Sequence, residues 1–344
     1  MNKEITIIKN TSCQFPVIIT ENKEEVLNKL IELKKFSEKE FLFLTSSKDE
    51  MSYTNELKES LDAEVIFTEP DKLTKVFQQA IAENKILVWF VSKDYETVVS
   101  LKDCSLKGFE YILVPTTPIA QITCEYIYDI WNTKAIESFP LVIINDSSLW
   151  NTVSEEDYIC GLASVLRKGI QENAIFYEWF LGNMYEVFDK DSSFIKILLE
   201  KNASLLQKRF DKKTAAARCV PHFGSMFEFC ISNACKELPH ADVISMACLM
   251  HAYLAWGKKI LSMEEFYEIR DMFVAFDMRI SETNAKAEVL IDYLRQDNTA
   301  YTYKNFAEFP YLSKIGKIIT DKIPTEKDLL DAAMAVYFDE EAMA

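Results

Sequence analysis

Three side chains in the middle of the chain are of the types that carry acid–base chemistry: His222, Glu228 and His240. Glu228 follows Ser225 by three residues, so it shares a helix face with that serine and can offer its carboxylate to His240, Asp242 or His222. Imidazole and carboxylate groups in such an arrangement transfer protons or bind a metal ion. The alternative is a chance grouping, because acids and histidines occur near many helix starts and a histidine after a proline is more often a capping residue.

The composition is that of a folded, acidic protein. Of the 344 residues, 49% are hydrophobic and 27% charged, which suffices for a sizeable core and two domains. The formal net charge of −16 predicts a surface that repels nucleic acid and anionic membranes. No run is apolar and long enough to span a bilayer, and the amino terminus lacks the apolar stretch of a signal peptide, so we expect a cytoplasmic protein.

The chain changes character near residue 150. Before that residue, short β-rich runs alternate with helical patterns. The β-rich runs are residues 5–8, 17–19, 41–44, 64–67, 86–91, 111–114 and 141–144. That alternation predicts βαβ units on a mostly parallel sheet in residues 1–150. Helical patterns follow almost without a strand, two of them behind capping boxes at Ser154 with Asp157 and Thr325 with Asp328, so residues 151–344 are predicted to form a helical domain.

Glycine is missing where a nucleotide-binding turn needs it. The first glycine is Gly108, and the predicted strand that ends at Val91 continues directly into residues 92–96, SKDYE. Only a residue without Cβ lets the backbone approach a pyrophosphate closely, so this turn is not expected to cradle phosphates as a glycine-rich turn does.

Several motifs nevertheless occur in one order along residues 68–300. They are residues 108–117 (GFEYILVPTT) with 119–121 (IAQ), 140–146 (PLVIIND), 161–170 (GLASVLRKGI), 218–229 (RCVPHFGSMFEF) and 238–243 (LPHADV). Together they resemble the dehydroquinate synthases and the wider family of sugar phosphate cyclases. The resemblance implies a dehydroquinate-synthase-like fold: an α/β N-terminal domain with a mostly parallel, Rossmann-like sheet and an all-α C-terminal domain.

The departures from the family fall on its cofactor sites. The resemblance places the family's three zinc ligands, a glutamate and two histidines, at Ser164, Ser225 and His240. A serine hydroxyl is a poor neutral ligand for zinc, so a three-ligand catalytic centre is not expected here. The family's triple glycine falls near residues 90–92 (Phe-Val-Ser) and its next aspartate near Glu96, side chains expected to fill the space that a dinucleotide needs. We therefore expect neither NAD nor zinc, and no other cofactor.

Other positions keep a capacity to bind a small anionic or polyhydroxylated ligand. By the resemblance, Glu69 and Lys72 match a glutamate and a lysine of an early loop of the family. Arg167 replaces a lysine that contacts the substrate, and Arg218 falls on an arginine that contacts the phosphate. The family's lysine-bearing loop is shortened here, and only Lys134 can take its place. The alternative reading is that Glu69, Lys72 and Arg218 are a helix-cap acid and solvated cations of the kind that every surface carries.

Three classes of function follow. The first, which we favour, is a divergent pseudoenzyme that binds a ligand or a partner, such as an active paralogue. The second is a biosynthetic enzyme of the lyase or cyclase type, acting on a sugar-phosphate- or cyclitol-derived compound without metal or NAD and using His240, Glu228, His222 and Arg218. The third, an iron-type alcohol dehydrogenase, is weakest because the chain has only three histidines. The resemblance also implies a homodimer formed through the α/β half.

Overall fold

The computed structural model describes residues 5–10, 13–46, 50–68, 72–92, 107–129, 136–214, 218, 222–282, 286–296 and 308–336. The chain divides into two compact units. The first comprises Met1–Tyr158 and Tyr185–Val220, and the second comprises Ile159–Met184 and Pro221–Ala344. This division differs from the predicted boundary at residue 150, because residues 185–220 lie with the α/β unit.

A seven-stranded sheet organises the first unit. Its members are β1 (Ile5–Lys9), β2 (Gln14–Thr20), β3 (Phe41–Thr45), β4 (Glu64–Phe67), β5 (Ile86–Val91), β6 (Tyr111–Pro115) and β9 (Val142–Asp146), while β7 (Ile127–Asp129) and β8 (Ile136–Ser138) form a separate hairpin. The order is β1-β2-β9-β6-β5-β3-β4, with β1 antiparallel to β2 and every other pair parallel. The mostly parallel sheet predicted from the sequence is confirmed.

Both faces of the sheet are covered, which explains why its central strands are buried along their whole length. Every residue of β3, β5, β6 and β9 is buried, as expected where crossover helices pack on the two sides of a parallel sheet. The helices of this unit are α1 (Lys23–Ser37), α2 (Glu50–Leu61), α3 (Leu73–Ala82), α4 (Pro118–Thr123) and α8 (Ser192–Phe210). The last of these contacts β1 and β2.

The second unit is mainly helical, as predicted. It is formed by α6 (Ala174–Leu181), α9 (Ser225–Ala234), α10 (His240–Gly257), α11 (Met263–Ala275), α12 (Ala287–Gln296) and α13 (Glu326–Val336), while α5 (Glu155–Glu172) and α7 (Met184–Phe188) cross the unit boundary. The central helix is α10, which packs against α9, α11 and α13. A hairpin of β10 (Phe309–Lys314) and β11 (Lys317–Asp321), which the sequence analysis did not predict, also packs against α10.

Both predicted capping boxes are confirmed. The Ser154 hydroxyl accepts a hydrogen bond from the amide of Asp157 at 3.1 Å. The Thr325 hydroxyl accepts one from the amide of Asp328 at 3.2 Å, and the Asp328 carboxylate accepts one from the amide of Thr325 at 2.8 Å. These bonds satisfy amide donors that a helix leaves open at its start. In the part of the chain that the structure describes, no helix has both the length and the apolar character needed to cross a bilayer.

Gln121 joins the ends of two strands. Its side-chain amide nitrogen donates to the carbonyl oxygens of Pro115 (3.3 Å) and Asp146 (2.8 Å), the last residues of β6 and β9. Its amide oxygen accepts from the indole nitrogen of Trp150 at 2.8 Å. Because the side chain is almost fully buried, no water can replace these bonds. The glutamine of the motif at residues 119–121 therefore fixes the carboxyl edge of the sheet.

We expect Gln121→Leu to lower the free energy of unfolding by about 2–4 kcal/mol, because the Trp150 N–H and two strand-end carbonyls lose a buried partner. The matched control is Gln78→Leu on the exposed side of α3, which should change stability by less than about 0.5 kcal/mol. Urea unfolding followed by circular dichroism measures both. Equal effects of the two substitutions would contradict this role of Gln121.

Candidate functional site

The carboxyl ends of the parallel strands carry small polar side chains. These are Thr20 on β2, Thr45 on β3, Thr68 after β4, Ser92 after β5, Thr116 after β6 and Asn145 with Asp146 on β9. In open parallel sheets this edge is where ligands bind. This pattern was not predicted, although it is visible as a Thr, Ser or Asn within two residues of the end of each β-rich run.

Hydroxyl groups tie neighbouring strand ends together. The Thr117 hydroxyl donates to the carbonyl oxygen of Ser92 at 2.7 Å, linking the segments that follow β5 and β6. The Thr20 hydroxyl donates to the carbonyl oxygen of Asn145 at 3.2 Å, linking β2 to β9. Among the described residues, the side-chain oxygen of Asn145 is buried without a hydrogen-bond partner. The strand ends are thus joined by hydrogen bonds, and this edge retains an unused acceptor among the described residues.

Asp146 is held at this edge by three donors. The Tyr53 hydroxyl donates to its Oδ2 at 3.0 Å, and the amide and hydroxyl of Ser148 donate to its Oδ1 at 3.0 and 2.6 Å. Burial, and then the nearby Asp146 charge, raise the pKa of Tyr53 far above its ordinary value. The tyrosine therefore remains a hydrogen-bond donor at any physiological pH.

The side chains expected to block a dinucleotide do not project from the strand end. Phe90 and Val91 are fully buried and belong to the cores on opposite faces of the sheet. The Phe90 ring packs edge-on against Phe43, with centroids 5.1 Å apart. Successive strand side chains point to opposite faces, so both lie within the two cores rather than over the edge. The steric expectation is therefore wrong for these two residues, and Glu96 lies outside the described residues.

An ion pair joins two helices of the second unit. The Arg167 Nη1 of α5 contacts the Glu228 Oε1 of α9, with the arginine side chain 1% and the glutamate side chain 16% exposed. Ser164 lies one turn before Arg167, and Ser225 one turn before Glu228. Residues three apart share a helix face, so each serine lies on the face of its helix that forms the pair.

Two buried polar atoms in this unit have no partner. Among the described residues, neither the Ser164 hydroxyl oxygen nor the His240 Nε2 makes a hydrogen bond. Ser164 is fully buried, and His240 is the first residue of α10. Unsatisfied buried polar atoms are uncommon in folded proteins and often mark a place where a ligand, ion or water belongs. Both residues occupy positions that the resemblance assigns to the family's zinc ligands.

The hypothesised metal site around Glu228 does not form. The Glu228 carboxylate pairs with Arg167, and Asp242 instead accepts a hydrogen bond from the amide of Arg279 at 2.9 Å. His222 is half-buried, and its carbonyl oxygen accepts from the amide of Ser225 at 3.0 Å. Within the described ranges, no three His, Cys, Asp or Glu side chains converge in a way that could hold a metal. The donors at the family positions, two serines and one histidine, likewise do not fit a three-ligand zinc centre.

The predicted anion-binding residues of the first unit lie in different environments. Arg218 is buried and forms a two-point ion pair with Glu137, in which Nε lies 2.8 Å from Oε1 and Nη2 contacts Oε2. Lys72 is exposed at the position before α3, where its side chain makes no capping hydrogen bond. Glu69 and Lys134 lie outside the described residues. The two predicted ligand-binding arginines are thus each paired with a glutamate.

His251 was not singled out in the sequence and anchors the start of α9. Its Nδ1 accepts from the amide of Gly224 at 3.0 Å, and its Nε2 lies 2.7 Å from the carbonyl oxygen of Pro310. Because that carbonyl can only accept, the proton is on Nε2 and the ring is neutral. The Phe223 ring stacks on the imidazole with centroids 4.3 Å apart. The residues that resemble the family's Asn-Phe-Gly-His motif are therefore fixed by a buried histidine.

Comparison with known proteins gives a consistent relationship. No protein-family model matches the chain. It is 24% identical over 238 residues to the 3-dehydroquinate synthase of Dictyoglomus turgidum, covering 65% of this chain and 66% of that protein. It is 21% identical over 231 residues to that of Nitratiruptor, covering 64% of this chain and 65% of that protein. The matched region thus spans slightly less than two thirds of these relatives.

Solved structures extend the likeness to nearly the whole chain. The 2-epi-5-epi-valiolone synthase of Streptomyces hygroscopicus, with NAD+ and Zn2+ bound, matches with a TM-score of 0.68 at 14% identity, over 96% of this chain and 99% of that one. A 2-deoxy-scyllo-inosose synthase complexed with carbaglucose-6-phosphate, NAD+ and Co2+ matches with a TM-score of 0.66 at 13% identity, over the same shares. An iron-containing alcohol dehydrogenase matches at 0.61 and 12% identity, over 94% of this chain and 97% of that one.

The chain is therefore dehydroquinate synthase-like, as its motifs predicted, and its fold is that of the sugar phosphate cyclases. One expectation from the sequence is overturned by the same findings. The cyclases that share the fold carry NAD+ together with Zn2+ or Co2+, so the prediction that no cofactor is used is wrong. The burial of Phe90 and Val91 within the two cores removes the main steric reason for that prediction.

We expect Gly224→Ala to destabilise the protein by about 3–4 kcal/mol. Gly224 has φ of +87°, and an added Cβ would lie 2.8 Å from the backbone of Ala247 and Cys248 in α10, so strain and overpacking add. Gly108→Ala is the matched control, since Gly108 has φ of +82° with nothing within 4 Å of an added Cβ, and should cost about 1 kcal/mol. Chemical denaturation measures the loss of stability in both variants. If Gly224→Ala costs no more than Gly108→Ala, the close approach of the Gly224 backbone to α10 is refuted.

Stability should fall as the pH is lowered through the range in which His251 titrates. Burial lowers the pKa of His251 from 6.5 to about 4, so between those pH values the unfolded chain binds a proton that the folded chain does not. The stabilisation that this group contributes is completely present above pH 6.5. It decreases by up to about 3 kcal/mol as the pH falls to 4.

The measurement is denaturant unfolding at pH 4.5 to 7.5 for the wild type and His251→Gln. In His251→Gln, the free energy of unfolding should lose most of the pH dependence that the histidine contributes. Gln78→Leu, which changes no titratable group, is the control and should keep the wild-type pH dependence of the free energy of unfolding. A wild-type slope retained in His251→Gln would show that other groups cause the dependence.

Proposed function

We propose that this chain binds a small polyhydroxylated compound in its helical unit, through Ser164, Arg167, Glu228 and His240. The observation that carries the proposal is the pair of buried polar atoms, Ser164 Oγ and His240 Nε2, that lack a partner among the described residues. Leaving such a group unpaired costs about 1–3 kcal/mol. The hydroxyls of a polyol both donate and accept hydrogen bonds, so they suit a serine hydroxyl, an imidazole and a carboxylate together.

A nicotinamide dinucleotide is the proposed cofactor of the α/β unit. The support is the NAD+ in structures of the same fold, the row of polar side chains at the carboxyl edge of the sheet, and the burial of Phe90 and Val91 away from that edge. When bound, NAD+ supplies a hydride acceptor. Of the three positions that hold zinc in the resembled family, only His240 has an imidazole in this chain. We therefore assign no chemical step to a metal.

Two roles are compatible with such a site. We favour a repurposed binding protein, because serine occupies two of the three positions that hold zinc in the resembled family. The second candidate is a biosynthetic enzyme of the cyclase or lyase type, favoured by the cyclases among the structural relatives. In that role, the His240 imidazole is the proposed acid–base group, and Arg167 positions the Glu228 carboxylate through their ion pair.

The remaining expectations stay proposals. His222, just before α9, remains a proposed acid–base residue. In the α/β unit, the proposed ligand contacts are Arg218, Lys72, Glu69 and Lys134. A homodimer through the α/β half, a paralogous partner and a cytoplasmic location rest on the resemblance and on composition alone.

We expect Ser164→Ala to separate binding from stability. Removal of an unsatisfied buried hydroxyl should leave the free energy of unfolding unchanged or raise it by up to about 1 kcal/mol. The same change should weaken binding of a polyol at least about tenfold, because the ligand loses a hydrogen bond. Calorimetric titration with carbaglucose and with carbaglucose-6-phosphate, with NAD+ present, measures the affinity of each.

The controls distinguish a site from a general effect. Ser232→Ala removes an exposed hydroxyl from α9 and should change neither affinity nor stability. His240→Gln should weaken binding in parallel with Ser164→Ala. The proposal fails if neither compound binds the wild type at millimolar concentration, or if Ser164→Ala leaves their affinity unchanged.

A further inference from the structure

Both arginines predicted to contact an anion are neutralised inside their own units. Arg167 and Arg218 have side chains that are 1% and 6% exposed, so neither guanidinium is a solvated surface charge. Each contacts a glutamate, Glu228 and Glu137 respectively, and these glutamates are themselves largely buried. A buried arginine paired in this way contributes a local dipole and almost no net charge.

The Arg218 pair shows how completely a guanidinium can be engaged. Its Nε and Nη2 bind the two oxygens of Glu137, and its Nη1 donates to the carbonyl oxygen of Lys212 at 2.8 Å. The guanidinium also lies over the Phe210 ring, 5.7 Å from its centroid. All three nitrogens therefore have a partner within the protein, and a phosphate would have to displace a bidentate carboxylate to reach them.

The Arg167 pair lies at the proposed ligand site itself. Glu228 is on the face of α9 that also carries Ser225, and Arg167 is on the face of α5 that carries Ser164. A phosphate ester entering here meets the glutamate charge together with the arginine charge, so attraction and repulsion largely cancel. An uncharged hydroxyl is not repelled and can donate to a carboxylate.

We propose that the ligand of the helical-unit site is an uncharged polyol, a cyclitol or carbocyclic sugar without a phosphoryl group. This inference rests on the proposed function and adds the charge class of the ligand to it. The Glu228 carboxylate that pairs with Arg167 is the selective element, because it offsets the positive charge that a phosphate ester would need.

The test compares two compounds that differ only by a phosphoryl group. Carbaglucose and carbaglucose-6-phosphate are titrated into the full chain with NAD+ present. We expect carbaglucose to bind at least about tenfold more tightly, equivalent to about 1.4 kcal/mol. In Glu228→Gln, which releases the Arg167 charge while keeping the side-chain shape, the preference should shrink to less than about threefold or reverse.

Glu237→Gln is the matched control, because it changes the net charge by the same amount at an exposed position of the same unit. It should keep the wild-type preference. Tighter binding of carbaglucose-6-phosphate to the wild type would overturn the inference while leaving the proposed function intact. The comparison of the two compounds on the wild type tests the inference even if Glu228→Gln does not fold. Failure of both compounds to bind would instead remove the proposed function.

Discussion

The contact between Arg167 and Glu228 is the constraint on which the candidate site depends. The guanidinium of Arg167, with 1% of its side chain exposed, is charged and needs an opposite charge and hydrogen bonds in place of water, and loss of one member of such a pair typically costs about 3–5 kcal/mol. The pair therefore holds α5 and α9 at a fixed separation. Ser164 and Ser225, each one turn earlier on its helix, take their positions from the same contact.

Close backbone packing also positions the start of α9. Gly224 lets the start of the helix approach the backbone of α10, and the neutral imidazole of His251 accepts its amide hydrogen. Water is excluded there, since His251 is almost fully buried, so the position of α9 is set by steric contact and one directional bond. The ion pair and the glycine contact together orient the helix that carries Glu228.

Much of the architecture is encoded locally and could be predicted. The parallel sheet follows from alternating β-rich and helical runs, and both capping boxes follow from residues three apart. The pairs Arg167–Glu228 and Arg218–Glu137 could not, because they join positions 61 and 81 residues apart. The error at Phe90 and Val91 has a similar origin: a motif position identifies which residues replace the glycines, but strand pleating decides that their side chains enter the cores.

The sites proposed in the two units would recognise a ligand by hydrogen bonding more than by charge. In the α/β unit, hydroxyl groups tie the strand ends together, and the side-chain oxygen of Asn145 is a buried acceptor without a partner among the described residues. In the helical unit, a neutralised arginine, a serine hydroxyl and an imidazole offer the same kind of group. The field of an ion pair decreases faster with distance than that of a single charge, so it acts on atoms in contact with it. Discrimination at such a site therefore depends on the placement of individual hydroxyl groups, because an unmatched buried donor or acceptor is costly while the net electrostatic attraction is small.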